Sequence, residues 1–385
     1  CEYATVVVTV TATVNGNEYT RAWEQQVTLG QTSSIVKNIF DYDTAEEAIR
    51  LKVGDMVTVP EKTIDGFYAA GNPLFIELNG NVATALRPGI TSIQLRSTPS
   101  NVVHSLPIII MPDAIEGGDV YIFNESASGT QNSKAWDSSV NWEKLDSDTN
   151  DSYPCKENDI AIIPFYNTKS ITMNLANDIV LGGLYLGQFG DTNGHLVING
   201  INSTNRKKVS FKRTDGNPVL IQLSANTTDL DNNSRKTQLT FGSNLHTSEF
   251  LTDTHLNGGW ANVGPRKNQG RFVFEAKTNS IPEGVTVSLY DMDTQGQNMG
   301  TTISLGALQG GGTFWNRSSA MVRFSTNISG FTGVLRASGG MNAGDESRTG
   351  PLFIRTSSAT NCSAEVIGWV GRHTDGDPSA SFKNC

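Results

Sequence analysis

The sequence predicts an all-β protein, and three observations carry that reading. Short runs rich in Val, Ile, Thr and Phe recur along the chain, separated by Gly, Asn, Asp and Ser. In most runs alternate residues are apolar and the others are Lys, Thr, Ser or Arg, the period of a strand with one buried face. Helix signals are confined to Asp43-Thr44-Ala45-Glu46-Glu47-Ala48-Ile49, where Asp43 or Thr44 would cap a first turn that carries acids.

With 385 residues the chain has room for two or three domains, and its 37% hydrophobic content allows a sizeable core. Charged residues make up 17% and the net charge is −9, with no run rich in Lys or Arg. Nucleic acid is therefore a poor partner. No apolar stretch reaches the roughly 18 residues that a membrane helix needs; the longest, 106–111, contains Pro107. No Lys/Arg-led apolar segment opens the chain, so an exported form would have lost its signal or be an excerpt.

The elements follow in order. Residues 4–14 alternate, with Val6, Val8, Val10, Ala12 and Val14 on one face and Thr5, Thr9, Thr11 and Thr13 on the other. Asn15-Gly16-Asn17 supplies the left-handed backbone angles of a hairpin turn, and the return strand groups Tyr19, Trp23, Val27 and Leu29. A lone hairpin is marginal in water, so residues 1–34 must pack on something. They are the end of a preceding domain, a hairpin on the next domain, or strands docking on a neighbouring molecule.

Residues 35–113 carry a more specific pattern. Leu51-Lys52-Val53-Gly54-Asp55-Met56-Val57-Thr58-Val59-Pro60 is followed by Asn79-Gly80-Asn81-Val82-Ala83-Thr84-Ala85-Leu86-Arg87-Pro88-Gly89-Ile90-Thr91-Ser92-Ile93. Gly54 and Gly80 fall where turns need positive φ, and Pro88-Gly89 makes a tight turn between alternating strands. This segment resembles the bacterial Ig-like group 2 family, with 106–111 as its last strand. The family's usual mid-strand tryptophan is missing, and Phe67, Tyr68 or Phe75 takes that space. The resemblance implies a β-sandwich spacer exposed on a bacterial surface, with no catalysis inside it.

Residues 114–119 read as a linker. Beyond it, over 120–385, one-sided β-runs recur too often for one compact sandwich, which points to a β-solenoid whose coils bury their apolar sides on one another. Val209 and Phe211 between Lys208, Ser210 and Lys212 illustrate the pattern. Trp136-Asp137-Ser138-Ser139-Val140-Asn141-Trp142, then Pro154 and Asp159-Ile160-Ala161-Ile162, resemble the start of the β-helical passengers of bacterial autotransporter-type proteins. Ile303-Ser304-Leu305-Gly306-Ala307-Leu308-Gln309-Gly310-Gly311-Gly312-Thr313-Phe314, with Phe331-Thr332-Gly333-Val334-Leu335, is similar to their repeat. The implied fold is a right-handed parallel β-helix. The alternative architecture is one or two jelly-roll sandwiches.

Chemistry-bearing groups are sparse. The four cysteines, Cys1, Cys155, Cys362 and Cys385, are too scattered for a zinc site. Cys362 with Cys385 is the first choice for a disulfide, worth about 3 kcal/mol by loop closure; free thiols in a reducing compartment are the other reading. Cys1 is also where a lipoprotein would carry its lipid. Asp146, Asp148, Asn150 and Glu157 have the spacing of a calcium loop, although Asp151 replaces its glycine and no helices flank it. Such loops are also ordinary solvated turns. No cofactor is expected, calcium apart.

There is no nucleophile elbow, zinc-protease motif or phosphate loop, and the five histidines lack metal-ligand spacing. Arg323, Arg336 and Arg355, with Asp291 and Asp293 nearby, are the only sign of lyase chemistry. The stretch between Phe241 and Phe272 breaks the rhythm, and there Trp260, Arg266 and Lys267 are the candidate ligand-binding residues. The expectation is an extracellular, non-catalytic structural or adhesive protein of a bacterial surface. Its partners would be copies of itself, other surface proteins or carbohydrate, and it would form a filament or layer. A polysaccharide lyase or carbohydrate-binding protein on the same scaffold is the alternative.

Overall fold

The computed structural model of the chain describes residues 3–14, 17–28, 48–59, 66–97, 103–125, 132–147, 152–166, 170–189, 194–224, 237–258, 261–263, 266–268, 270–290, 302–305, 307–317, 322–324, 328, 330–337, 352–354, 365–368 and 370–371. Among these, regular structure is β throughout apart from a 3₁₀ turn at Ser139–Asn141. Of the helix-like stretch 43–49, residues 43–47 lie outside the described residues, and Ile49 opens the strand Ile49–Lys52 rather than ending a helix. No helix among the described residues is long and apolar enough to cross a membrane.

Tyr3–Val14 and Asn17–Thr28 form an antiparallel hairpin in continuous register from Tyr3↔Thr28 to Val14↔Asn17. The pairing leaves a two-residue connection, as the Asn-Gly pair requires. The Thr11 and Thr20 hydroxyls meet across the strands at 3.2 Å.

Residues 48–111 build two small sheets. One has the order Ile49–Lys52, Val103–Met111, Gly89–Ser97, Gly66–Ala70; the other has the order Met56–Thr58, Val82–Ala85, Ile76–Asn79. Leu51, Val57, Phe75, Ile76, Ala83, Ile93, Leu106, Ile108 and Ile110 from both sheets share one buried cluster. Phe75 is fully buried and Tyr68 packs against the same cluster, while Phe67 is exposed. Gly54 and Gly80 take φ of +89° and +63°, the left-handed angles their turns require.

From Val120 onward the chain feeds three parallel sheets in turn. The circuit that starts at Ile160–Phe165 passes through Ser170–Leu175 and Ile179–Leu181, and the next starts at Gly183–Gln188 beside the first strand. Among the described residues the sheets hold ten, nine and five strands, and every pairing is parallel except that of Trp142–Lys144 on Val120–Phe123. Identical inward positions stack across circuits. Met173, Ile198, Phe241, Phe274 and Leu305 form one column of the nine-stranded sheet, and Ala161, Leu184, Ile221, Leu256 and Leu289 form one of the ten-stranded sheet. These residues belong to one continuous buried cluster. Phe211 stacks on Phe250 at 5.5 Å, and Phe241 lies 4.9 Å from Phe274.

Trp136 and Trp142 close the first end of this interior. Both are buried, with ring centroids 4.8 Å apart. Each indole N–H is satisfied: Trp136 donates to the Pro154 carbonyl and Trp142 to the Trp136 carbonyl, both at 2.8 Å. The predicted linker is tied down in the same region. Asp159 accepts the backbone N–H groups of Asp119, Cys155 and Lys156, and the Asn158 amide donates to the Glu116 carbonyl.

The first strands of the ten-stranded sheet are apolar on their outward face as well. Val120, Ile122, Ile160, Ile162 and Tyr185 are buried there against Ala48, Ile90, Ile109 and Ile115. Residues 48–111 thus lie on the sheet and exclude water from it. The contact is close: a Cβ on Gly187 would stand 2.5 Å from the Ile90 Cβ, so only glycine fits. The Ile90 N–H donates to the Ser224 hydroxyl at 3.1 Å.

Candidate functional site

Past this covered region the outward face of the ten-stranded sheet changes character. Strands Thr254–Asn257, Thr286–Tyr290, Thr313–Asn316 and Val334–Ala337 lie side by side, with His255↔Ser288↔Trp315↔Arg336 in one register column. Inward positions keep the apolar column, so alternation sends these side chains outward. The Arg317 guanidinium carbon sits 4.6 Å from the Tyr290 ring centre and 4.4 Å from that of Trp315, and Arg336 covers the Trp315 ring at 4.1 Å. Arg317 also donates to the Tyr290 hydroxyl. His255 lies 4.8 Å from Tyr290, and burial, with Arg317 nearby, holds its imidazole below the ordinary pKa. Each cation–π contact is worth about 0.5–1 kcal/mol at a half-exposed site. The result is a half-buried ladder of flat rings and guanidinium planes.

The outward face of the five-stranded sheet carries a second feature, a polar groove of about 490 Å³. Its floor comes from two register columns, Lys208↔Thr247↔Thr278 and Glu249↔Ser280↔Gln309. Asp178, Arg206 and His246 complete the lining. The Lys208 ammonium lies 3.1 Å from Glu249, which also accepts the Ser210 hydroxyl at 3.0 Å. Asp178 accepts the Lys208 N–H, and Arg206 donates to the Ser203 and Ser243 carbonyls. Between Lys207 and Lys208 the register slips by one residue, and the extra residue opposite is His246, exposed at the groove. Bulges of this kind re-aim side chains next to binding sites.

Of the residues singled out from the sequence as candidates, Arg336 belongs to the ladder, and the others line neither feature among the described residues. Arg266 and Lys267 belong to the strand Arg266–Asn268, which pairs antiparallel with Ala261–Val263 as a small ribbon inserted within one circuit, between Thr254–Asn257 and Gly270–Phe274. Trp260 lies outside the described residues. The excursion is also shorter than the sequence implied, because Leu245–Phe250 and Thr254–Asn257 are regular strands within it. Their inward positions include Thr254 and Ser248, which hid the apolar period. Of the calcium candidates, Glu157 pairs with Lys212 at 2.5 Å, Asp146 takes a φ of +56°, and Asp148 and Asn150 lie outside the described residues. No group of three or more His, Cys, Asp or Glu gathers as a metal ion needs, among the described residues.

Cys362, Cys385 and Cys1 also lie outside the described residues. Cys155 is a half-buried free thiol whose pKa is raised by burial and by Asp159. Arg323 lies on the nine-stranded sheet and Arg336 on the ten-stranded one, so they do not share a face. Neither the ladder nor the groove was foreseen as a unit. Tyr290, Trp315 and Arg317 could have been noticed as large side chains on outward positions, but their proximity depends on inter-circuit register.

Comparison with protein-family models, with curated proteins and with solved structures returned no match.

Proposed function

We propose that the chain is a secreted bacterial cell-surface protein with a structural and adhesive role and no catalytic centre. In this reading residues 35–113 are an Ig-like spacer of the group 2 type, and residues 120–385 are a right-handed parallel β-helix. Three parallel sheets served in rotation around a shared apolar interior support the second part. Two small sheets around one apolar cluster support the first.

The observation that carries the adhesive role is the ladder of Tyr290, Arg317, Trp315 and Arg336 on an outward, regular sheet face. Aromatic and arginine side chains with little remaining rotamer freedom are the usual anchors of protein contacts. The chain as a whole carries a charge of −9, so a cationic face on it is complementary to the rest of another copy. Self-association through this face builds the filament or layer.

Light scattering over a rising concentration series tests the reading. The mass should grow with concentration, and Trp315→Ala with Arg336→Ala should hold the chain as a monomer. A wild-type chain that stays monomeric at every concentration would sink the proposal.

A polysaccharide lyase is the competing reading, favoured by the meeting of Asp178 and Glu249 with Arg206 and Lys208 in one groove. Incubation with polygalacturonate decides it. Ultraviolet-absorbing unsaturated products that disappear in Glu249→Gln would overturn the non-catalytic reading.

A further inference from the structure

We infer that the groove on the five-stranded sheet binds an uncharged polysaccharide, extended along the direction in which the strands stack. This is independent of the adhesive face, which lies on another sheet.

Shape is the first support. The columns Lys208↔Thr247↔Thr278 and Glu249↔Ser280↔Gln309 repeat polar side chains once per strand. Their spacing of ~4.8 Å is close to the advance of one ring in an extended glycan chain. At about 490 Å³ the groove lies in the range of small-ligand sites.

Charge is the second. Arg206 and Lys208 offset Asp178 and Glu249, so the two cations and two carboxylates of the lining sum to zero. Such a groove has no net charge with which to favour an anion or a cation. Its charged groups nevertheless offer strong donors and strong acceptors side by side.

Functional-group chemistry is the third. Every sugar hydroxyl both donates and accepts, and this lining presents hydroxyls at Thr278 and Ser280, a carboxamide at Gln309, carboxylates and cations. Gln309 and His246 are exposed, and Thr278 and Ser280 half-exposed. Among the described residues no Phe, Tyr or Trp lines the groove, so recognition is by polar edges and each contact is weak. A long polymer compensates by offering many equivalent registers.

Native electrophoresis of the full chain through gels containing soluble β-1,3-glucan, mannan, xylan or dextran tests the inference, with polygalacturonate and heparin as anionic probes. At least one neutral polymer should retard the chain, and raising the salt tenfold should leave that affinity unchanged. Thr278→Trp, which fills the groove from an outward position, should weaken retardation about tenfold. Gln309→Ala, at an exposed site where folding is not at stake, should weaken it about threefold. Val140→Ser, at an exposed position on the 3₁₀ turn and outside the groove lining, should leave it unchanged. The inference fails if no neutral polymer retards the chain, or if only the anionic polymers do so in a salt-dependent manner. It also fails if both groove variants bind as the wild type does.

Discussion

The guanidinium of Arg50 meets the carboxylate of Glu143 in a two-toothed ion pair, with each terminal nitrogen 2.6 Å from its own oxygen. Arg50 lies on a strand of the small four-stranded sheet and Glu143 on the edge strand of the ten-stranded sheet. The pair therefore pins the N-terminal module beside the apolar contact made by Ile90 and Ile109. The Arg50 and Glu143 side chains are 27% and 34% exposed, which limits the pair's worth.

A double-mutant cycle on Arg50→Ala and Glu143→Ala measures that worth. We expect a coupling of about 0.5–1 kcal/mol in denaturant melts, shrinking as salt is added. A coupling near zero at low salt would mean that the apolar contact alone holds the module.

Trp136→Ala should cost about 3–5 kcal/mol, because it opens a cavity at the end of the stacked interior. It also removes the donor to the Pro154 carbonyl. Chemical denaturation followed by far-ultraviolet circular dichroism reads the loss. A cost below about 1 kcal/mol would show that the two tryptophans do not close the core.

One inward column of the five-stranded sheet turns polar midway, running Ile179, Val209, Ser248, Asn279, Leu308. Ser248 donates to the Asn279 side-chain oxygen at 2.6 Å, and the Asn279 amide nitrogen has no partner among the described residues. Ser248→Ala alone should cost about 1–3 kcal/mol by removing the Asn279 oxygen's donor. The pair Ser248→Ala with Asn279→Leu should recover most of it, since the column then becomes apolar throughout. Thermal melts of the three variants test the order.

His195 and His255 both have imidazoles held below their ordinary pKa, chiefly by burial and secondarily by Arg271 and Arg317 respectively. The Gln238 amide donates to His195 Nε2, an acceptor that protonation would abolish. The unfolded chain therefore takes up these protons first as pH falls, and stability drops in step. The melting temperature should be flat above about pH 7.5 and decline as pH falls from about 7 towards 5. His195→Gln with His255→Gln should flatten that decline. An unchanged slope in the double variant would assign it to other groups.

Much of the fold was legible in the residues themselves. The Val/Thr alternation before Asn15-Gly16 marked the hairpin that Tyr3–Val14 and Asn17–Thr28 form, and Gly54 and Gly80 stand at the turns that need their positive φ. Lys208, Ser210 and Lys212 around Val209 and Phe211 marked which side of a strand faces out. Ile160–Phe165 also carried a signal: an unbroken apolar run is the pattern of a strand covered on both faces, and the module of residues 48–111 covers it.

Periodicity settles which side of each strand is buried because that depends only on neighbours two residues apart. It says nothing about which outward residue of one circuit sits beside which residue of the next. Tyr290, Trp315 and Arg336 come from three circuits, as do Lys208, Thr247 and Thr278. Their meeting depends on where each intervening loop returns the chain and on the strand register that follows. Stacked aromatic interiors such as Phe241 on Phe274 set that register, so the ladder and the groove exist only once the tertiary structure has formed.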